Sequence, residues 1–158
     1  LTIMLPLIVA AFWWFSETES LFTNARLATS SIRHPIATWQ RIAGALINEL
    51  PVLMLVAGIW QARRCFKLFV AGEFFSGEVV ACLRWFAVWA TLSAVVGILE
   101  CTAIATMLTW SYPVGERQFM VALGTDQFIL LFVAGMVWLM ARVIAQGKAL
   151  AEENATFI

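Results

Sequence analysis

Two carboxylates stand inside stretches that are otherwise apolar. Glu49 lies beside Asn48 and two residues before Pro51, and Glu100 sits within GILECTAIA. An ionised acid at mid-bilayer costs about 2.5–3.5 kcal/mol or more, so such groups face protein or water and mark ion or proton routes. Three readings follow. Glu49 and Glu100 act as ligands or carriers for a cation or proton; or they are protonated, bonded to each other, and fix helix register; or they reach outside water. Arg142 only closes the last apolar span, and no Lys or Arg lies deep within the spans to serve as counter-ion, so an Arg from a partner helix is a further option.

Other chemistries lack their residues. His34 is the single histidine and precedes Pro35 in a polar stretch, so bis-His haem ligation and a Ser/His/Asp set are unsupported. There is no HExxH, no paired CxxC and no Walker loop, and Gly72-Glu73 lacks the repeated glycines and the Lys of a phosphate loop. Cys65, Cys82 and Cys101 are an odd set without a disulfide framework and read as small packing residues. Cys65 and Cys82 are nearly equidistant from the 72–77 turn and face each other if its flanks pair. The sequence therefore predicts no enzyme, no metal and no cofactor; bound lipid is the one companion its composition invites.

The elements that hold these residues follow from hydrophobicity. Of 158 residues, 62% are hydrophobic and only 13% charged, with mean hydropathy +0.87. A soluble domain is about half apolar and about a quarter charged, so lipid must solvate much of this surface. Four apolar segments read as transmembrane helices: 1–15, 42–60, 85–110 and 127–145. The first is shorter than the ~20 residues a span needs; the sequence begins at Leu1, and preceding residues are expected to complete it. Most of the eight Trp mark span ends, as an aromatic belt would. The polar 16–41 stretch predicts a short interfacial helix over 18–30, with Leu21, Ala25 and Ala28 on one face and His34-Pro35 beyond its end. The expected fold is all-α: four spans in an antiparallel bundle, as a single domain over 1–158.

Depth and packing sharpen the acid pair. Glu49 lies ~10 Å in from Ile42, and Glu100 ~10 Å in from Met107, at 1.5 Å per residue. Antiparallel neighbours would carry both acids at one level. Ala90, Ala94, Gly97 and Cys101 form a small-residue strip that favours close helix contact near Glu100. Pro51 deprives the Ile47 carbonyl of its helical donor and opens a polar spot beside Asn48 and Glu49.

The remaining signal is RRCFKLFVAGEFFSGEVVACLRW, 63–85. Helix continues from the second span through Arg63, Arg64 and Lys67 to Gly72, a natural helix stop. Ser76 can cap the next helix, with Glu78 favoured in its first turn. That helix runs through Arg84 into the third span. Spans two and three thus extend beyond the membrane as a helical hairpin whose tip carries Phe74 and Phe75.

This stretch resembles a family of small bacterial four-span membrane proteins, the domain of unknown function 2975. The match lies in the basic, aromatic run, Gly72, Phe75-Ser76, Glu78 and Leu83-Arg84. It continues in a tail of Gly147-Lys148-Ala149-Leu150, Glu152-Glu153-Asn154, Thr156 and Ile158. Val79 and Val80 stand where most such sequences carry Asn. The resemblance implies an inner-membrane location and a four-helix fold, and no activity. Members are often encoded near helix-turn-helix regulators, which by analogy implies a cytoplasmic regulatory partner.

Lys and Arg placement orients the chain. Arg63, Arg64, Lys67, Arg84, Arg142 and Lys148 lie on one side, against Arg26, Arg33, Arg41 and Arg117 on the other. This bias puts both termini and the hairpin in the cytoplasm. These few basic residues suit topology and anionic lipid better than nucleic acid. The first functional expectation is a non-enzymatic accessory or regulatory subunit that docks on a larger membrane complex or a cytoplasmic regulator. The alternatives are a small oligomeric transporter or channel using Glu49 and Glu100, and a lipid- or quinone-binding protein.

Overall fold

The computed structural model describes residues 4–25, 27, 32, 35–73, 76–110, 112–113, 121 and 124–155, with backbone alone for 151, 152, 154 and 155. Among these residues every regular element is helical: α1 (Met4–Phe15), α2 (Thr18–Asn24), α3 (Thr38–Val70), α4 (Gly77–Leu108) and α5 (Thr125–Ala155). Three of them, α3, α4 and α5, are long and apolar enough to cross a membrane. With its composition this makes the chain a membrane protein. The apolar α1 has 12 residues, fewer than the ~20 that a crossing takes.

Helices α3 and α4 have 33 and 32 residues. At 1.5 Å per residue each is ~50 Å long, well beyond the ~30 Å of a hydrocarbon core. They run antiparallel. Asn48 meets Glu100, Pro51 meets Ser93, and Gly58 meets Phe86 and Trp89. Cys65, Val79 and Cys82 pack together near the turn.

The turn between them is built by two caps. Gly72 adopts φ 84°, the left-handed region that glycine enters without a Cβ penalty. Its N–H donates to the Phe69 carbonyl at 3.0 Å, and the Glu73 N–H donates to the Leu68 carbonyl at 3.1 Å. This paired pattern is a Schellman ending. Ser76 then opens α4, its Oγ accepting the Val79 N–H at 3.2 Å. Phe74 and Phe75 lie outside the described residues.

The seam of α3 follows a seven-residue interval. Gly44, Pro51, Gly58 and Cys65 are all buried, and three of them are small residues that let backbones approach. Helix α4 carries buried Ala87, Ala90, Ser93 and Ala94, of which Ser93 meets α3. Pro51 sits within α3 without ending it, and the Ser93 hydroxyl donates to the Pro51 carbonyl at 2.8 Å. Gly44 is pressed against the Trp13 indole, whose ring would overlap any Cβ placed there.

The substantial helix packings form a row: α1 on α3, α3 on α4, and α4 on α5. The α4–α5 pair is also antiparallel, since Gly97 faces Gln127 and Gly77 faces Lys148. The more central α4 is accordingly the most buried of the three long helices and α5 the least.

One expected element differs. The interfacial helix expected over 18–30 is α2, and it ends at Asn24. Its apolar residues turn into the protein. Leu21 and Phe22 are each 1% exposed and pack with Trp13, Ile104 and Leu108. Burial in this cluster removes more apolar area from water than partial immersion at an interface would. Ala25 is buried there too, while Ala28 and His34 lie outside the described residues.

Candidate functional site

Four helices converge on one polar cavity of about 410 Å³. Helix α2 contributes Thr23 and Asn24, α3 contributes Asn48, and α4 contributes Gly97, Glu100 and Cys101. The first turn of α5 adds Asp126 and Gln127. The helix dipole favours a carboxylate at that turn. Gln127 accepts the Gly124 N–H at 2.8 Å through Oε1, which leaves Nε2 against Gly97. A Cβ at Gly97 would lie 3.8 Å from that nitrogen.

Glu100 is held by a two-step relay. The Trp13 indole N–H donates to Asn48 Oδ1 at 3.3 Å, and Asn48 Nδ2 donates to Glu100 Oε1. The indole fixes which end of the amide faces α4, and the amide then presents its donor to the acid. Trp13 can do this because it is buried against Gly44, one turn before Asn48.

The cavity contains two carboxylates, and among the described residues no Lys, Arg or His lines it. Arg41, the nearest basic residue along α3, is engaged elsewhere. Its Nη1 donates to the Trp13 and Ser16 carbonyls at 3.0 Å and to the Trp14 carbonyl at 3.4 Å. It thereby satisfies orphan carbonyls at the end of α1, where the dipole favours a cation. Among the described residues no group of three or more His, Cys, Asp and Glu is placed to hold a metal ion. The described lining thus offers carboxylate, amide and hydroxyl oxygens. Such a lining suits a monovalent cation, an organic ammonium or a proton.

Glu49 is placed differently from Glu100. It is half-buried, it does not line the cavity, and its Oε2 has no hydrogen-bond partner among the described residues. No hydrogen bond joins the two acids; the partner of Glu100 is Asn48. The reason is helical phase. Gly44, Asn48 and Pro51 share the face turned to Trp13 and α4, and Glu49 is rotated from it by one residue, about 100°.

In the small-residue strip, Ala90 and Ala94 are buried, Gly97 meets Gln127, and the Cys101 thiol lies 3.9 Å from the Ala25 carbonyl. At the other end of the molecule, Arg63, Arg64, Lys67 and Arg84 are exposed, and Arg64 pairs with Glu78 at 3.5 Å. Gly77 would place a Cβ 3.5 Å from Lys148 Nζ, so the tail reaches the start of α4. A separate apolar groove of about 670 Å³ lies along α4 between Trp39 and Trp110, floored by Ile98, Leu99 and Ala103.

Sequence reasoning missed Trp13, Thr23, Asn24, Asp126 and Gln127 as cavity groups. The available signals were the seven-residue seam, which turns Asn48 rather than Glu49 inward, and the Asp-Gln pair opening the last apolar helix.

No curated protein and no solved structure matches the chain. Residues 26–158, which include every cavity residue but Thr23, Asn24, Ala25 and the supporting Trp13, match the model of a protein family of unknown function. The chain belongs to that family, DUF2975.

Proposed function

We propose that this protein is a non-enzymatic membrane protein that binds a small cation or protonated solute in the α2–α5 cavity, as a small transporter or channel. The observation that carries this reading is Glu100: an acid within a long apolar helix, held by Asn48 and open to a cavity that also contains Asp126. Intramembrane acids are costly, and functional sites are where that cost is ordinarily met. Glu100 takes the central role and Asp126 the second; Glu49 lies off the cavity. The fuller architecture we propose is four spans, with α1 as the first, in a bacterial inner membrane. Both termini and the α3–α4 turn are cytoplasmic, following the Lys and Arg bias. The cavity then opens toward the outer face.

The test is cation or proton flux into liposomes holding the purified protein. Glu100→Gln keeps the size and an acceptor for Asn48 but removes the charge, and abolishes flux. Equal flux in wild type and variant would remove the proposal.

A second reading is an accessory or regulatory subunit. The packing of α5 favours it. Phe128, Ile129, Phe132, Val133, Met136, Leu139, Met140 and Val143 are exposed, a face long enough for a partner helix as well as lipid. A stoichiometric partner recovered by mild-detergent purification, and lost on placing Trp or Asn along this face, supports that reading.

A further inference from the structure

At the hairpin end, Trp60, Arg63, Arg64 and Lys67 fall at positions i, i+3, i+4 and i+7 of α3, a single helical stripe. Among the described residues these four side chains line a hollow of about 490 Å³. Trp60 is 67% exposed at the end of the apolar 42–60 segment, where an amphipathic indole marks the headgroup level. Lys67 lies ~10 Å further along the axis at 1.5 Å per residue. With Trp60 at the membrane interface, Arg63 and Arg64 fall at headgroup depth and Lys67 at its outer edge. One edge of Arg64 is occupied by Glu78 at 3.5 Å. Among the described residues no acid pairs with Arg63 or Lys67.

We propose that Trp60, Arg63, Arg64 and Lys67 form a binding site for the phosphate headgroup of an anionic phospholipid. The indole packs on the glycerol and upper acyl region. Arg63 offers a forked donor set to the phosphate, and Lys67 adds a point charge from above. Arg64, tied to Glu78, contributes its remaining donors and holds the stripe against α4. Charge complementarity and depth select the occupant: a soluble anion would need no tryptophan at the membrane interface. This site is separate from the Glu100 cavity and does not depend on its function.

The test uses the full chain in mild detergent, titrated with phosphatidylglycerol or phosphatidylcholine and read by native mass spectrometry. Wild type retains phosphatidylglycerol at least about fivefold more tightly than phosphatidylcholine, the effect expected of one basic residue. Arg63→Gln with Lys67→Gln weakens phosphatidylglycerol binding about twentyfold, with helix content unchanged by circular dichroism. The charge-retaining pair Arg63→Lys with Lys67→Arg keeps most of it, and Arg84→Gln, off the stripe, changes it less than about twofold. Equal retention of the two lipids would overturn the proposal, as would an equal loss in Arg84→Gln. Displacement of phosphatidylglycerol by millimolar inorganic phosphate would assign the stripe to a soluble anion and overturn it too.

Discussion

At the scale of single residues, one rotation along α3 decides the chemistry. Asn48 and Glu49 are adjacent, yet only Asn48 reaches α4, because it shares a face with Gly44 and Pro51. In a background without native cysteines, Asn48→Cys with Glu100→Cys crosslinks readily under a short bifunctional thiol reagent, whereas Glu49→Cys with Glu100→Cys does not; the reverse order contradicts the geometry. Gly44→Ala drives a methyl into the Trp13 ring. Overpacking costs about 1–3 kcal/mol, and the displaced indole also loses Asn48, so thermal unfolding in detergent shifts down by several degrees. Trp13→Phe removes the N–H together with part of the buried ring, so the ~0.6 kcal/mol that a membrane hydrogen bond averages is added to a cavity cost of about 1–3 kcal/mol. The presence of an acid at mid-helix was legible in the sequence, as was the shared level of positions 48–49 and 100. The partner of Glu100 was not, because choosing between neighbouring residues requires the phase of the helix. That phase is set by Trp13, whose place at the end of an apolar run reads equally well as an interface anchor.

At the scale of elements, the α3–α4 hairpin rests on local chemistry the sequence states openly. Gly72 before an acid, and Ser76 before Glu78, are end and start signals for helices, and the structure places the Schellman turn and the Ser cap there. Because Gly72 has open space around it among the described residues, Gly72→Ala pays for the left-handed backbone, about 1 kcal/mol. Ser76→Ala loses the cap for about the same amount. Neither change reaches the Glu100 cavity, so hydrogen exchange speeds up around residues 68–80 while ligand binding holds. Cys65 and Cys82 are 3% and 4% exposed and pack with Val79. In the native protein both react with maleimide far more slowly than in denaturant; fast labelling would mean that the hairpin base is open. Helix α2 was less legible. Seven residues carry too little periodicity to separate a surface helix from a buried one, and Leu21 and Phe22 find their partners 80 and more residues away on α4.

At the scale of the whole molecule, composition alone dictated lipid as solvent, and three apolar helices of membrane-crossing length follow from it. The row of packings from α1 to α5 was beyond the sequence, since apolar faces turned to lipid and to protein look alike. That row matters for function. It brings the start of α5 beside the relay from α1 through α3 to α4, and so closes the cavity around Glu100 with Asp126 and Gln127. A solute bound there touches α2, α3, α4 and α5 at once, so binding must stabilise the folded protein as a unit, by about 2.7 kcal/mol at one hundred times its dissociation constant. The most direct measurement is thermal unfolding of the purified protein in sodium, potassium and choline chloride at equal ionic strength and over a range of pH, for wild type and Glu100→Gln. The account predicts a saturable rise in midpoint with at least one of these cations, absent in Glu100→Gln, or a pH dependence that Glu100→Gln changes. Identical midpoints in all three salts together with a pH dependence unchanged in Glu100→Gln, or a salt-specific rise that survives in Glu100→Gln, would contradict it.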